Sequence, residues 1–322
     1  MSDLRFVSVD EINRLLTFPT LIDALEAAFQ RDIVVPVRHH HGIERPDGEA
    51  TLLLMPAWST GGGEDDVLGT KLVTVFPGNG ARGLDSITGL YVLNSAATGV
   101  PLAVMDGRAI TVWRTACASA LAARYLARKD ASKLAVIGAG ALAPYLARAH
   151  AAVRPITEIA IWNRTLSKAE AMAEGLRADG LNARAEPDRE AAISGADIVA
   201  SATLSQQPLI EGRLLKPGQH VDLVGGFTPT MREADDEAIR RARVYVDTRA
   251  GALKEAGDIV VPISTGVLNR DAVHGDLFEL TRGISLGRQT EDEITLFKSV
   301  GTAIEDLACA ELVWKALVAR PA

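Results

Sequence analysis

Cysteine is scarce: Cys117 and Cys309 are the only two among 322 residues. They lie far apart and outside any CxxC or Cys/His spacing, which argues against a disulfide framework, a zinc site or a dithiol redox motif. Two reduced, buried thiols are expected. Long hydrophobic runs are missing too. The longest uncharged stretch, 134–147, falls short of the roughly 20 residues a membrane helix needs and holds two glycines and a proline. Positive charge is in deficit, with 34 Lys and Arg against 41 Asp and Glu and a formal charge of −7. No general attraction to nucleic acid or an anionic membrane is expected, so any anion must be bound locally. The first residues set Asp3, Arg5, Asp10 and Glu11 where a secretion signal would need a basic start and an apolar core. A cytoplasmic chain is the expectation. There is no internal repeat and no low-complexity linker.

What is present is an ordinary globular balance, 48% apolar and 23% charged residues, in a chain long enough for two domains. Apolar spacing predicts helices after Asp10 and over 20–30, then strands over 51–55, 70–76, 89–94 and 102–106, with glycine-rich breaks at 61–63 and 78–83. Successive strands without helices between them imply a mixed or antiparallel sheet. After Arg114 the rhythm changes. An Ala-rich helix over 116–127 leads into strands at 133–137, 158–162, 197–202, 219–224 and 243–246, with helical stretches between most of them. Alternation of this kind means a doubly wound parallel sheet. The tail, 297–318, reads as a helix that returns to the first domain. The fold class expected is therefore α/β, a Rossmann-type sheet over 116–301 plus an α+β domain made of 1–115 and completed by 302–322.

The strongest motif is Gly138-Ala139-Gly140-Ala141-Leu142-Ala143, a GxGxxA placed after an apolar strand and before a helix. Gly138 permits the tight turn, Gly140 lets backbone approach a pyrophosphate, and Ala143 allows close packing of helix on sheet. Pro144 is tolerable in a first helical turn, where no backbone donor is needed. The second strand ends in Trp162-Asn163-Arg164-Thr165. An acidic residue there would accept from the ribose 2′-hydroxyl of NAD, whereas Arg164 can pair with a 2′-phosphate and Asn163 and Thr165 can donate to it. Lys168 offers a second cation one turn on. The cofactor expected is NADPH, with NADH weaker.

Three basic residues of the first domain stand out: Arg38 in PVRHHH, Lys71 in GTKLV and Arg114 in TVWRTA. Lys71 has apolar neighbours, which calls for a defined partner. His39, His40 and His41 are consecutive, so alternate members on a strand face opposite ways and no metal site is expected. Asp106 and Asp247 end strands and read as turn or cap residues.

These segments together, from Arg5–Phe29 through Ala103–Ala116, the GxGxxA turn, IWNRT, VYVD and Phe297–Gly301, resemble the ornithine cyclodeaminase and mu-crystallin family over nearly the whole chain. The resemblance implies a homodimer and a substrate domain completed by the carboxy-terminal helix. It also implies a carboxylate clamp on Arg38, Lys71 and Arg114, with Lys71 and Arg114 catalytic. Ser86, Thr203, Leu204 and Ser299 would line the nicotinamide and its ribose. Where cyclodeaminases carry a glutamate before Met-Pro and an aspartate after paired glycines, this chain has Leu53 and Phe227. Without those carboxylates, proton handling at an open-chain δ-amine lacks its groups, and Phe227 would give an apolar wall for a ring. Residues 221–236 are particularly similar to the bacterial ketimine reductases. The expected activity is NADPH-dependent reduction of Δ1-pyrroline-2-carboxylate and Δ1-piperideine-2-carboxylate in proline metabolism. An amino-acid dehydrogenase, an ornithine cyclodeaminase or a non-enzymatic NADPH-dependent ligand binder stand as alternatives.

Overall fold

The computed structural model describes residues 4–46 and 48–319. The chain divides into two compact units: residues 1–114 with 302–322, and residues 115–301.

The first unit is built on a seven-stranded mixed sheet of β1 (Arg5–Val7), β2 (Ile33–Val34), β3 (His39–Ile43), β4 (Ala50–Ser59), β5 (Val67–Val75), β6 (Ile87–Ser95) and β7 (Pro101–Asp106). Its order is β1-β7-β6-β5-β4-β2, with β3 also on β4; β1 runs parallel to β7 and every other pairing is antiparallel. Two helices precede β2. Helix α1 (Val9–Leu15) starts in a capping box in which Ser8 and Glu11 satisfy each other's backbone donors. Helix α2 (Phe18–Gln30) starts at Thr17 with a proline in its first turn. The strands alternate as a sheet with one covered face must: in β5, Val67, Gly69, Lys71 and Val73 are buried, while Leu68 and Leu72 are exposed. The carboxy-terminal helix, Ala303–Val318, lies over β4, β5 and β6 on the buried face and packs against α2.

The second unit carries an eight-stranded, all-parallel sheet: β8 (Lys133–Ile137), β9 (Glu158–Trp162), β10 (Ala183–Ala185), β11 (Ile198–Ser201), β12 (His220–Leu223), β13 (Ala242–Val246), β14 (Val273–Asp276) and β15 (Ile294–Lys298). Their order is β10-β9-β8-β11-β12-β15-β13-β14. Both faces are apolar. Ala135 and Ile137 of β8 join one buried cluster, whereas Leu134 and Val136 join the other. Continuous apolar strands are what burial on two sides demands. The chain winds outward from β8 to β9 and β10, then returns to place β11 on the other side of β8. That reversal is the topological switch point, where ligands of open α/β sheets bind.

Two expectations need correction. Residues 294–298 form a central strand, buried along its whole length between β12 and β13, and the tail helix starts only at Ala303. A run flanked by strands on both sides is apolar throughout, so the pattern of 297–318 resembled one long buried helix. The Ala-rich helix is also longer than expected: α3 spans Gly107–Leu126, with Asp106 Oδ1 accepting from the Ala109 backbone N–H at its start. Among the described residues no helix is long and apolar enough to cross a membrane.

Candidate active site

In the first unit, alternation along β5 turns Lys71 toward the covered face, where it is only 2% exposed. A lysine there needs anionic company, because removing an ammonium from water costs several kcal/mol unless charge and hydrogen bonds replace the water. The carboxy-terminal helix supplies it. Lys71 Nζ donates to Asp306 Oδ1 at 2.8 Å and to Thr111 Oγ1 at 3.4 Å. Arg114, in α3, donates from Nε to the same Asp306 oxygen at 2.9 Å and from Nη1 to Glu305 Oε2 at 2.6 Å. Burial, with the Arg114 and Arg38 charges beside it, lowers the Lys71 ammonium to about 8 against the lift from Asp306. Arg38 lies half-buried just before β3.

Glu305 and Asp306 are fully buried and were not anticipated as site residues. Two adjacent acids in the first turn of a mostly apolar helix were the available signal. Across the sheet, Met55 is the direct partner of Lys71, and Leu53, two residues away, shares its face. The position with a glutamate in cyclodeaminases is thus on the clamp's face of the sheet and carries no charge.

In the second unit, a cleft of about 390 Å3 opens over the carboxyl ends of β9, β8 and β11. Gly138, Ala139, Gly140, Trp162, Asn163, Arg164, Lys168, Thr203 and Leu204 are among its lining residues. Gly138 has φ +107°, and a Cβ there would sit 2.7 Å from the Ala202 carbonyl oxygen. Only glycine suits that turn. A Cβ on Gly140 would meet nothing within 4 Å, so this position keeps the cleft floor open. The following helix α4 (Ala143–Val153) has no side-chain cap, and neither has α5 (Leu166–Ala178), which follows β9. A helix start without a side-chain cap turns its positive dipole end to an anion. Arg164 and Lys168 make no ion pair with a described residue. The cleft therefore suits a ligand with phosphates at both places.

Asn163 is held between the glycine turn and the start of α5. Its Oδ1 accepts from the Ala139 backbone N–H at 3.2 Å and its Nδ2 donates to the Thr165 carbonyl at 2.9 Å. The side chain fastens the glycine turn to the end of β9. Ala141 and Leu142 follow the turn but do not line the cleft. Ser299 is buried, its hydroxyl donating to Asp247 Oδ2 at 3.1 Å. That same Asp247 oxygen receives the Val300 and Gly301 N–H groups, so the residue does hold a turn. Ser86 lies half-buried in the first unit before β6. Phe227 is half-buried in the loop after β12, directly behind Gly225 and Gly226.

The model of the ornithine cyclodeaminase/mu-crystallin family matches residues 3–320. The chain belongs to that family. A relative is the Δ1-pyrroline-2-carboxylate reductase of Paracoccus denitrificans, 39% identical over 304 residues, covering 90% of this chain and 94% of the relative. Among solved structures, Thermococcus litoralis Δ1-pyrroline-2-carboxylate reductase, in complex with NADH and L-proline, superposes with a TM-score of 0.92. It is 32% identical, with 98% of each chain covered. An archaeal alanine dehydrogenase dimer with bound NAD superposes at 0.89 with 31% identity, over 98% of this chain and 96% of that one. The His39–His41 run lies exposed on β3 and joins no metal-binding group among the described residues.

Proposed function

We propose that this protein reduces the C=N bond of small cyclic ketimine carboxylates, Δ1-pyrroline-2-carboxylate and Δ1-piperideine-2-carboxylate, to L-proline and L-pipecolate with NADPH. The observation that carries the reading is the Lys71–Arg114 clamp beside Leu53. It brings two cations together for one carboxylate, and Leu53 on the same face offers no acid for an open-chain amine. The similarity to reductases of this class supports it. NADH would serve less well, because Arg164 and Lys168 leave two cations for a 2′-phosphate.

The first unit is then the substrate domain and the second the nucleotide domain. When bound, the nicotinamide supplies the hydride that adds to the imine carbon. Arg38, Lys71 and Arg114 hold the substrate carboxylate, and orientation of this kind accounts for much of the rate in such transfers. Lys71, with an ammonium near 8, can yield a proton to the ring nitrogen at neutral pH. In the second unit Thr203 and Leu204 would line the nicotinamide, and Phe227 would give an apolar wall for the ring. Proline or pipecolate carries the added hydride on C2 and the added proton on nitrogen.

The test is direct. Mixed with NADPH and either ketimine, the protein should oxidise the cofactor; absence of oxidation with both ring sizes would overturn the reading. Phe227→Leu should retain most activity, whereas Phe227→Asp should lose it, since a charge against an apolar ring costs a few kcal/mol unless the carboxyl protonates. Full activity of the aspartate variant would remove residue 227 from the site.

A further inference from the structure

A buried ionic cluster lies in the second unit that neither the glycine turn nor its helix uses. Glu233, Asp258 and Lys298 are all fully buried. Lys298 Nζ stands 3.1 Å from Asp258 Oδ2 and 3.7 Å from Glu233 Oε2. Two carboxylates and one ammonium leave a net negative charge away from water, which is tolerable only if donors meet it. They do. Glu233 Oε1 accepts from Ser201 Oγ at 2.7 Å, from the Thr203 backbone N–H at 2.8 Å and from Thr203 Oγ1 at 2.9 Å. Its Oε2 accepts from the backbone N–H groups of Gly225 at 2.7 Å and Gly226 at 3.2 Å. Asp258 Oδ1 in turn accepts from the backbone N–H groups of Glu233 and Ala234, at 2.7 and 3.0 Å.

Burial pushes the Glu233 carboxyl up, yet each of these five contacts comes from a donor, so the geometry serves the carboxylate form. Ser201 is the last residue of β11, and the other four bonds end in two loops. One, 202–205, follows β11 and lines the nucleotide cleft. The other, Gly225–Gly226, leads straight into Phe227. The loops touch: a Cβ on Gly225 would lie 1.9 Å from the Thr203 carbonyl oxygen. Sheet order sets β9, with Arg164 and Lys168 after it, on the opposite side of β8 from β11.

We propose that Glu233 is a positioning residue that fastens the 202–205 loop and the Gly225–Phe227 turn into one rigid part, leaving the Arg164–Lys168 end of the cleft unaffected. Asp258 holds the Glu233 backbone and Lys298 balances its charge. The naming of the affected ligand half rests on the nucleotide reading above; the coupling of the two loops does not.

Two variants of the intact protein test this. Glu233→Gln keeps the size but sets an amide donor against donors, and Glu233→Asp keeps the charge beside Lys298 but shortens the reach by one methylene. In the ligand-free protein, exchange of the Thr203, Gly225 and Gly226 amides should accelerate together, by roughly tenfold or more, in both variants. NADPH should bind roughly tenfold more weakly, while 2′,5′-ADP, which lacks the nicotinamide, should bind within about twofold of wild type. Exchange rising in one loop only, in neither, or evenly across the whole parallel sheet would overturn the inference. So would wild-type behaviour of Glu233→Asp, which would leave charge balance as the only role, or equal weakening of both nucleotides. If the wild-type protein binds neither nucleotide, the proposed function falls and the exchange pattern still decides the coupling.

Discussion

Lys71 shows how one residue's setting creates both a chemical group and a liability. Its ammonium, lowered to about 8 chiefly by burial, is charged at neutral pH but close to release. Reduction of a ketimine needs that charge for the carboxylate and that proton for nitrogen, so kcat/KM should fall as pH rises through about 8. Stability should move the other way. Because the folded-state value lies below the unfolded 10.5, the unfolded chain binds more protons between about 8 and 10.5, and the Lys71 contribution to stability rises across that window. Chemical denaturation at several pH values checks the sign, and Lys71→Met should lack the rise. Asp306 is the group that holds the proton on Lys71. Asp306→Asn should move the alkaline limb of the kcat/KM profile down by about one pH unit, in line with the loss of an adjacent opposite charge. An unmoved limb would show that another group sets it.

At the scale of elements, the β9–α5 connection is where cofactor choice would be made. Trp162 ends the strand, Asn163 ties it to the glycine turn, and Thr165 starts α5 without capping it. Arg164, which lines the cleft, is the cation that follows directly on the strand. Arg164→Ala should weaken NADPH by roughly ten- to a hundredfold, the worth of a charge-assisted pair, and leave NADH nearly unchanged. Titration with both cofactors reads this, and equal losses would show that Arg164 does not recognise the 2′-phosphate. The glycine turn was legible from its spacing, since local backbone demands leave a local signature. The role of Asn163 was not, because nothing at 163 indicates that its nearest donor is 24 positions earlier.

For the molecule as a whole, the first unit's sheet has a face that its own helices do not cover. Leu68, Leu72 and Leu90 are 37%, 40% and 42% exposed, and Leu72 and Leu90 are direct cross-strand partners. An apolar stripe of this kind on a sheet fits an isologous contact with a second copy, and we propose that the protein is a homodimer through it. Leu72→Glu should shift the protein to a monomer in analytical ultracentrifugation, because the glutamate would be buried without a partner against its symmetry mate. A variant that stays dimeric would place the contact elsewhere.

What the sequence determined by itself was periodic or contiguous. Alternation in β5, apolar runs in β8 and β11 and the GxGxxA turn all follow from chain geometry within a few residues, whereas the caps at Ser8 and Thr17 lie a few residues ahead of the helix starts that spacing predicts. That much carried the fold class and the phosphate-binding turn. The clamp became complete only in three dimensions. Asp306 lies 235 positions beyond Lys71 and Glu305 lies 191 beyond Arg114, and an acid on an apolar helix has no local pattern that names its partner. The same holds for β15, the last strand in the chain, which inserts between β12 and β13, and for Glu233, whose five donors come from two separate stretches, 201–203 and 225–226. Tertiary structure decided these because a buried charge takes whichever partner packing brings within about 3 Å, and spacing along the chain does not encode that distance.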